Sequence, residues 1–283
     1  MTATESSLAV RVRGLSKAYG RLQAVRELNL DVGYGEVVAI LGPNGAGKST
    51  TIEILEGHRK RDGGDVRVLG EDPGTAGRSW RARIGIVLQE ASDFGMLTVS
   101  ETVSMFARCY AATRSTEDVL ESVGLGATFG SRVRNLSGGQ RRRLDVALGI
   151  VAMPELLFLD EPTTGFDPEA RRQFWDLIRS LAGDGTTILL TTHALDEAAA
   201  LADRVAIIAG GRVVAVDSPT KLAAQANSVA TVRWVEGDVV HLEQTAHPTE
   251  LIRQRSAAGA ELAQLTVTRP TLEDAYLELI GLT

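Results

Sequence analysis

The sequence contains only one cysteine, Cys109, in 283 residues. A single thiol excludes an internal disulfide and any zinc site built from cysteines. Cys109 lies within an apolar pattern of helical spacing, which predicts a packing role for this side chain rather than a reactive one. We therefore expect no part for cysteine chemistry in the function.

Long hydrophobic runs and an excess of positive charge are also missing. No window reaches the roughly 18 uncharged apolar residues that a membrane-spanning helix needs, and residues 1–7 lack the basic start and apolar run of an export signal. The net charge of −6 gives no reason to expect nucleic acid, which binds to basic faces. The arginines at 141–143 and 171–172 predict solvated faces or salt bridges. We expect a polypeptide that is cytosolic and soluble in itself, with any membrane connection made through a partner.

The sequence does contain a phosphate-binding loop. Residues 42–49 match G-x-x-x-x-G-K-[ST], in which backbone N–H groups wrap the phosphates of a nucleotide. An apolar run at 36–41 predicts a buried parallel strand before the loop, and apolar residues at helical spacing predict a helix after it. The start of that helix favours a phosphate. We expect a bound nucleoside triphosphate, with Lys48 reaching the β- and γ-phosphates and Ser49 binding Mg²⁺. The predicted nucleotide-binding residues of this segment are Gly42, Pro43, Asn44, Gly45, Ala46, Gly47, Lys48, Ser49 and Thr50.

Six further motifs surround the loop in a defined order. The first three are an aromatic residue before the loop (Tyr19), a glutamine that ends a strand (Gln89) and an LSGGQ sequence (residues 136–140). The last three are an acidic pair after a buried strand (Asp160-Glu161), a segment that contains Gly-Phe-Asp-Pro (residues 164–168) and a histidine after the next strand (His193). Together they resemble the motifs of ABC-transporter ATPases over about residues 8–217. Phe166 stands where that family usually has leucine, which leaves the fine coupling between subunits open.

The polar residues among these motifs suit phosphoryl transfer, which needs positioning and charge stabilisation more than covalent chemistry. Asp160 can bind Mg²⁺ directly or through water. Glu161 can accept a proton from the attacking water or orient it. The amide of Gln89 can touch both metal and water. His193 can hydrogen-bond the γ-phosphate, and its charge state stays open.

The signature residues Ser137, Gly138, Gly139 and Gln140 predict a second anion nest at a helix N-terminus. The resemblance implies that this nest closes on the γ-phosphate of a nucleotide bound by the opposite subunit, and that Tyr19 stacks on adenine. The implied working unit is a homodimer, or a pair of ATPase subunits, with two ATP molecules between them.

The resemblance implies an α/β fold made of a core, two subdomains and a C-terminal accessory domain. A P-loop NTPase core of the ABC ATPase type would carry an antiparallel β subdomain and a helical signature subdomain at about 90–150. We expect the ATPase domain at 8–217 and a small α+β C-terminal accessory domain at 218–283. The local pattern predicts a strand at 8–15 with a turn at 16–20, and helical structure from 98 to about 124.

Within the family, residues 56–70, 191–219 and 270–279 look most like the drug-export and ABC-2-type branch, such as the daunorubicin-resistance type. This resemblance implies an ATPase subunit that powers efflux of a drug or other small molecule through separate transmembrane permease subunits. It would act at the cytoplasmic face of the bacterial cell membrane, with the segment near 94–110 and the Gln89 loop receiving the permease.

Two alternatives remain open on the sequence alone. An importer ATPase shares the same motor domain, and a neighbouring gene for a binding subunit would favour it. A soluble ABC-type ATPase acting on nucleic acid or ribosomes usually has two nucleotide domains in one chain, a long coiled coil or zinc cysteines, none of which this sequence has. The cargo contacts the membrane subunits, so this sequence does not identify it. The sequence of the C-terminal domain is compatible with a structural role, as a cap on the fold, and equally with a regulatory role.

Overall fold

The computed structural model describes residues 8–87, 94–225, 229–237, 239–256 and 262–281. The chain divides into two compact units, Met1–Val216 and Asp217–Thr283. The functional domains assigned from the sequence at 8–217 and 218–283 stay a prediction. No helix in the described ranges combines the length and the apolar character needed to cross a bilayer.

The first unit alternates strands and helices. Its strands are β1 (Leu8–Tyr19), β2 (Leu22–Gly33), β3 (Val37–Leu41), β4 (Gly63–Val68), β5 (Ile84–Val87), β6 (Leu156–Asp160), β7 (Thr187–Thr191), β8 (Arg204–Ala209) and β9 (Arg212–Asp217). Its α-helices are α1 (Lys48–Leu55), α2 (Arg78–Arg81), α3 (Val99–Ala107), α4 (Thr116–Ser122), α5 (Gly138–Ile150), α6 (Pro168–Gly183) and α7 (Leu195–Leu201).

The central sheet of the described residues has the strand order β5-β6-β7-β3-β8-β9. The pairs from β5 through to β8 are parallel. Every residue of β3 and β7 is buried, which explains the continuous apolar runs read from the sequence. The carboxyl ends of β3, β6 and β7 meet at one edge, where ligands bind in open α/β sheets. Asp160 at the end of β6 pairs in register with Thr191 on β7.

A second sheet, ordered β2-β1-β4 among the described strands, is antiparallel. Strand β1 continues to Tyr19 through several register shifts, because Lys17 and Ala18 still pair with Val25 and Gln23 on β2. The predicted turn at 16–20 is therefore wrong for residues 16–19. Trp80 is buried beneath this sheet, and its indole N–H donates to the carbonyl O of Val68 at 2.8 Å.

The helical segment predicted from 98 to about 124 consists of two helices. A capping box of Thr98 and Glu101 starts α3, and the Ser115 hydroxyl, which accepts from the N–H of Asp118, starts α4. Cys109 follows the end of α3 and is exposed. The packing role predicted for its thiol is wrong, because the helix ends before this residue.

The second unit contains α8 (Pro219–Gln225), β10 (Ala230–Glu236), β11 (Val239–Thr245), α9 (Pro248–Arg255), β12 (Ala263–Thr268) and α10 (Leu272–Leu279). Its described strands form an antiparallel sheet in the order β11-β10-β12. Leu251 of α9 packs on Val232 and Trp234 of β10. The unit thus combines α-helices with an antiparallel sheet, in agreement with the predicted α+β character of this region.

Candidate nucleotide-binding and hydrolysis site

The loop between β3 and α1 is packed tightly against neighbouring backbone. A Cβ atom at Gly42 would lie 2.3 Å from the carbonyl O of Ile208, and one at Gly47 would lie 2.3 Å from the carbonyl O of Ala24. Gly47 also has a φ of 101°, in the left-handed region that favours glycine. The two glycines thus allow the chain to turn sharply into α1, whose N-terminal N–H groups face the loop and favour an anion.

Lys48 is the first residue of α1 and is buried. Its Nζ donates to the carbonyl O of Gly42 at 2.6 Å and to that of Pro43 at 3.2 Å. Burial lowers the pKa of this ammonium group, while the charges of Glu161 and Asp160 act to raise it. The loop cation therefore lies within electrostatic reach of Asp160, the predicted metal ligand, and of Glu161, the predicted base.

Asp160 ends β6 with a partly exposed side chain. The hydroxyl of Thr191 donates to its Oδ1, so the neighbouring strand fixes the orientation of the carboxylate. Sequence reasoning did not single out Thr191. The partner becomes visible only from the pairing of β6 with β7.

Glu161 has a φ of 43°, an uncommon conformation for a residue with a side chain. Its N–H donates to the carbonyl O of Thr191 at 3.0 Å and to the Thr191 hydroxyl at 3.2 Å. The Thr164 hydroxyl donates to Glu161 Oε2 at 3.3 Å, and Nδ1 of His193 lies 3.3 Å from Oε1. His193 is 62% exposed, against 21% for Glu161. The structure therefore brings the predicted histidine and the predicted acid into direct contact at an open edge.

We call Lys48, Asp160, Glu161, Thr191 and His193 the polar cluster. Of the other predicted residues, Gln89 lies outside the described ranges. Ser49 is exposed next to Lys48, as are Pro43, Asn44 and Gly45 in the loop. Thr50 is partly buried and Ala46 is buried. The loop residues thus surround the start of α1, and their individual roles stay predictions.

Tyr19 is 40% exposed at the end of β1. The guanidinium of Arg59 lies 5.3 Å from its ring centroid, and Nζ of Lys17 lies 5.7 Å from it. Arg59 in turn is hydrogen-bonded to Glu53, and Lys17 to Asp62 at 2.7 Å. The exposed ring therefore has a cationic surrounding that sequence reasoning did not anticipate.

The signature residues occupy the start of α5. Ser137 is the N-cap, its hydroxyl accepts from the N–H of Gln140 at 3.2 Å, and the Gln140 side chain accepts from the N–H of Ser137 at 3.0 Å. Gly138 and Gly139 form the first turn. We call the N–H groups of this turn the signature nest. The hydrogen bonds of Ser137 and Gln140 join these two residues to each other rather than to the polar cluster.

Phe166, the residue that departs from the family pattern, packs edge-on against Phe174 at 5.7 Å between ring centroids. Phe174 is fully buried in α6. The larger ring, which is partly exposed, therefore packs in part against its own chain.

Arg142 is a second residue that sequence reasoning missed. Its side chain is buried, and it donates to the carbonyl O atoms of Asp160 and Pro162 at 2.8 and 3.0 Å. Its Nη1 also lies 3.9 Å from a carboxylate oxygen of Asp145. The predicted solvated face is therefore wrong for Arg142, which is buried, whereas the ion pair with Asp145 agrees with the predicted salt bridge.

The parallel sheet, the glycine loop and the polar cluster define a P-loop nucleotide-binding protein. The family model described as ABC transporter matches residues 25–164. The daunorubicin/doxorubicin resistance ATP-binding protein DrrA of Streptomyces peucetius is 47% identical over 75% of this chain and 66% of that protein. The resistance protein DrrA3 of Streptomyces coeruleorubidus is 36% identical over 96% of each chain. The Nod factor export ATP-binding protein I of Rhizobium leguminosarum bv. viciae is 36% identical over 98% of this chain and 96% of that protein.

Solved structures give the same result. The cbiO1 protein of Clostridium perfringens, part of the transporter complex cbiONQ, matches with 29% identity and a TM-score of 0.69 over 77% of this chain and 92% of that one. A dimeric cassette, MJ0796 bound to ADP and Pi, matches with 25% identity and a TM-score of 0.66 over 74% of this chain and 98% of that one. An ATP-binding subunit of an ABC transporter, 23% identical with a TM-score of 0.71, matches in fold over 96% of this chain and 99% of its own length.

The chain belongs to the ABC transporter family. It is an ATP-binding subunit of the ABC ATPase type, as the sequence predicted, and the predicted fold class is confirmed. The prediction of an exporter ATPase is also confirmed at the level of its relatives, which are ATP-binding proteins of drug resistance and of Nod factor export.

Proposed function

We propose that ATP hydrolysis by this chain powers the export of a drug or other small molecule through separate membrane subunits. The observation that carries the proposal is the polar cluster at the sheet edge, in a chain whose relatives are named for drug resistance and Nod factor export. The cluster supplies the groups that hydrolysis needs, and the relatives indicate the direction of transport.

In this proposal, the triphosphate lies along the loop and the start of α1. Lys48 Nζ, now bonded to two loop carbonyls, moves to the β- and γ-phosphates. Burial of Lys48 strengthens this attraction, because opposite charges interact more strongly where water is excluded. Tyr19 stacks on the adenine ring, and Arg59 and Lys17 add positive charge near that end of the nucleotide.

Mg²⁺ suits the residues at this edge. This ion takes oxygen ligands and usually keeps several waters beside one or two carboxylates and the substrate phosphates. Asp160 provides a carboxylate oriented by Thr191, and Ser49 provides an exposed hydroxyl. Among the described residues, no cluster of three or more His, Cys, Asp or Glu side chains could hold a metal, so a cage built from protein alone is not offered there. Bound Mg²⁺ would neutralise charge on the phosphates, and Gln89 stays a predicted ligand.

Glu161 is the proposed general base, which accepts a proton from the attacking water or orients it. His193, 3.3 Å from Glu161, hydrogen-bonds the γ-phosphate and links it to the base. The signature nest of a second subunit then covers the γ-phosphate, with Ser137, Gly138, Gly139 and Gln140 at the contact. The working unit is a head-to-tail pair with two ATP molecules, and closure of this pair drives transport.

The permease is proposed to dock beside the helical segment. A cavity of about 430 Å³ there is lined by Phe94, Gly95, Met96, Leu97 and Arg134. Met96 is 71% exposed, and Phe94 packs edge-on against Phe106 of α3. An apolar groove with a cationic rim suits a short helix from a membrane subunit at the cytoplasmic face of the membrane.

The proposal is tested with Glu161→Gln. The amide keeps the shape of the side chain but cannot accept a proton, so kcat for ATP hydrolysis should fall by about 10²–10⁴-fold while ATP binding persists. Closed dimers should accumulate with ATP and elute as a larger species in size-exclusion chromatography. In inverted vesicles that contain the co-purifying membrane subunits, the wild-type chain should drive ATP-dependent uptake of cargo, and Glu161→Gln should not. A wild-type hydrolysis rate in the variant would remove Glu161 from the mechanism, and transport in the opposite direction would overturn export.

A further inference from the structure

Arg142 holds the backbone on both sides of Glu161. Its Nε donates to the carbonyl O of Pro162 at 3.0 Å, and its Nη2 donates to the carbonyl O of Asp160 at 2.8 Å. These carbonyls belong to the residues immediately before and after Glu161. The planar guanidinium, with donors in a fixed geometry, therefore spans the turn as a two-pronged fork.

The turn needs such support. Glu161 is held at a φ of 43°, a region that residues with a Cβ occupy at a cost in free energy and only where the surroundings enforce it. On one side, the N–H of Glu161 is bonded to Thr191 of β7. On the other side, the fork of Arg142 fixes the two flanking carbonyls. The backbone turn that carries the Glu161 side chain is thus held from both β7 and α5.

Burying the charge of Arg142 costs free energy that its contacts must offset. Only 7% of Arg142 is exposed, and burial disfavours a cation unless hydrogen bonds and nearby negative charges compensate. The charges of Asp145, Asp160 and Glu197 supply that compensation. The neighbouring Arg143 differs, because its guanidinium contacts Gln173 on α6 instead.

We propose that Arg142 is a positioning residue for ATP hydrolysis, which aims the Glu161 carboxylate by clamping the carbonyls of Asp160 and Pro162. The inference rests on the proposed function, since it requires Glu161 to act on the attacking water. Because α5 begins at the signature nest, the same rigid helix also joins that nest to the Glu161 turn.

The test is a double-mutant cycle in the full-length chain with Arg142→Gln and Glu161→Gln, measured as kcat and KM for ATP. Arg142→Gln should lower kcat on the order of 10²-fold, the cost that a misplacement of about 1 Å can impose. KM for ATP should change by less than about 2-fold, because the phosphate loop is untouched. In the Glu161→Gln background, the same Arg142 substitution should change the residual rate by less than about 2-fold, since the group that it positions is gone.

Two matched variants accompany the cycle. Arg142→Lys keeps the buried positive charge but cannot span two carbonyls, so its kcat should fall between those of wild type and Arg142→Gln. Arg143→Gln changes the same residue type on the same helix, and its kcat should stay within about 2-fold of wild type. Circular dichroism and ATP binding establish that each variant is folded.

The outcomes separate the inference from the proposed function. An unchanged kcat in Arg142→Gln would overturn the positioning role while leaving Glu161 as the base. The same conclusion would follow if Arg142→Gln lowered kcat by the same factor in the Glu161→Gln background as in the wild-type background. An equal loss in Arg143→Gln would also overturn it, because the effect would then belong to the helix and not to the fork. A wild-type rate in Glu161→Gln alone would overturn the proposed base, and the positioning role with it.

Discussion

The phosphate loop and the signature nest are both glycine-containing starts of helices, yet the protein surrounds them differently. The loop before α1 is pressed against the backbone of Ala24 and Ile208, and the buried Lys48 and two acids lie beside it. The signature nest before α5 is satisfied by its own capping box, and a Cβ at Gly138 would meet no atom within 4 Å. The phosphate loop is thus enclosed by groups of its own chain, whereas the signature nest is exposed.

This difference indicates what each surface can do alone. Glycines enclosed by backbone fix the shape of a binding loop before a ligand arrives, so the loop can bind phosphate within a single subunit. An exposed helix start has N–H groups and partial positive charge but few surrounding groups. The signature nest therefore suits a ligand that another molecule holds, which is the physical basis for proposing a paired working unit.

The largest expected effect on ATP hydrolysis comes from two variant chains, one with a substitution in the phosphate loop and the other with a substitution in the signature nest. Lys48→Ala should abolish ATP binding, because it removes the mobile cation of the loop. Ser137→Arg should leave ATP binding by the monomer intact but block closure, because a bulky side chain fills the nest. Each variant alone should be inactive in ATP hydrolysis. A mixture should regain activity, since one composite site draws its loop from the Ser137→Arg chain and its nest from the Lys48→Ala chain.

The mixture is measured by ATP turnover at constant total protein, with each variant mixed with buffer as the control. Activity that does not rise above the two separate variants would count against the composite site. Normal ATP binding by folded Lys48→Ala protein would contradict the assignment of the phosphate loop as the primary ATP-binding site.

A smaller effect is expected at Tyr19, which tests how far the first surface extends. Tyr19→Ala should weaken ATP binding by about 1–3 kcal/mol if stacking on the base is lost. Tyr19→Phe should nearly preserve the affinity, because it keeps the ring and removes only the hydroxyl. Both are measured by titration with a fluorescent ATP analogue. Equal affinities of the Ala and Phe variants would exclude Tyr19 as the platform for the base.

Much of this architecture could be predicted from the sequence, because the loop, the signature and the acidic pair are contiguous motifs with fixed spacing. The buried strands were also predictable from their apolar runs, since parallel strands are covered on both faces. The split between α3 and α4 was missed, although Ser115 followed by Asp118 three residues later is a capping signal.

Other features depend on contacts between distant parts of the chain. Thr191 reaches Asp160 only because β7 pairs with β6 in that register. Arg142 lies between two other arginines in sequence, and only the orientation of α5 buries this one against the Glu161 turn. Local pattern contains no information on which of three adjacent arginines will face the core.

The helices that follow the two surfaces each carry a carboxyl group away from solvent, buried at Glu56 and partly buried at Asp145, and these groups differ in pKa. Burial, together with the smaller effect of the negative charges of Asp160 and Glu53, raises the pKa of Glu56, at the end of α1, to about 8. Burial raises the pKa of Asp145, on α5, to about 6, while the charges of Arg142 and Arg141 oppose the increase. The pKa values of the two groups thus differ because Glu56 has acidic neighbours near the loop and Asp145 has basic neighbours on α5.

The smallest predicted effect follows from the sign of these shifts. A carboxyl group with a raised pKa in the folded protein stabilises the fold below its unfolded pKa, and this stabilisation is lost as the pH rises through the folded value. For Asp145 the loss should be complete slightly above pH 6, whereas for Glu56 it should continue to about pH 8. Between pH 6.5 and 8, the free energy of unfolding of the nucleotide-free protein should therefore fall, by at most about 1.4 kcal/mol per pH unit from this one group. Glu56→Gln should flatten that slope and Asp145→Asn should not, as measured by urea unfolding at each pH. A slope that Asp145→Asn removes and Glu56→Gln leaves intact would reverse the assignment of the two environments.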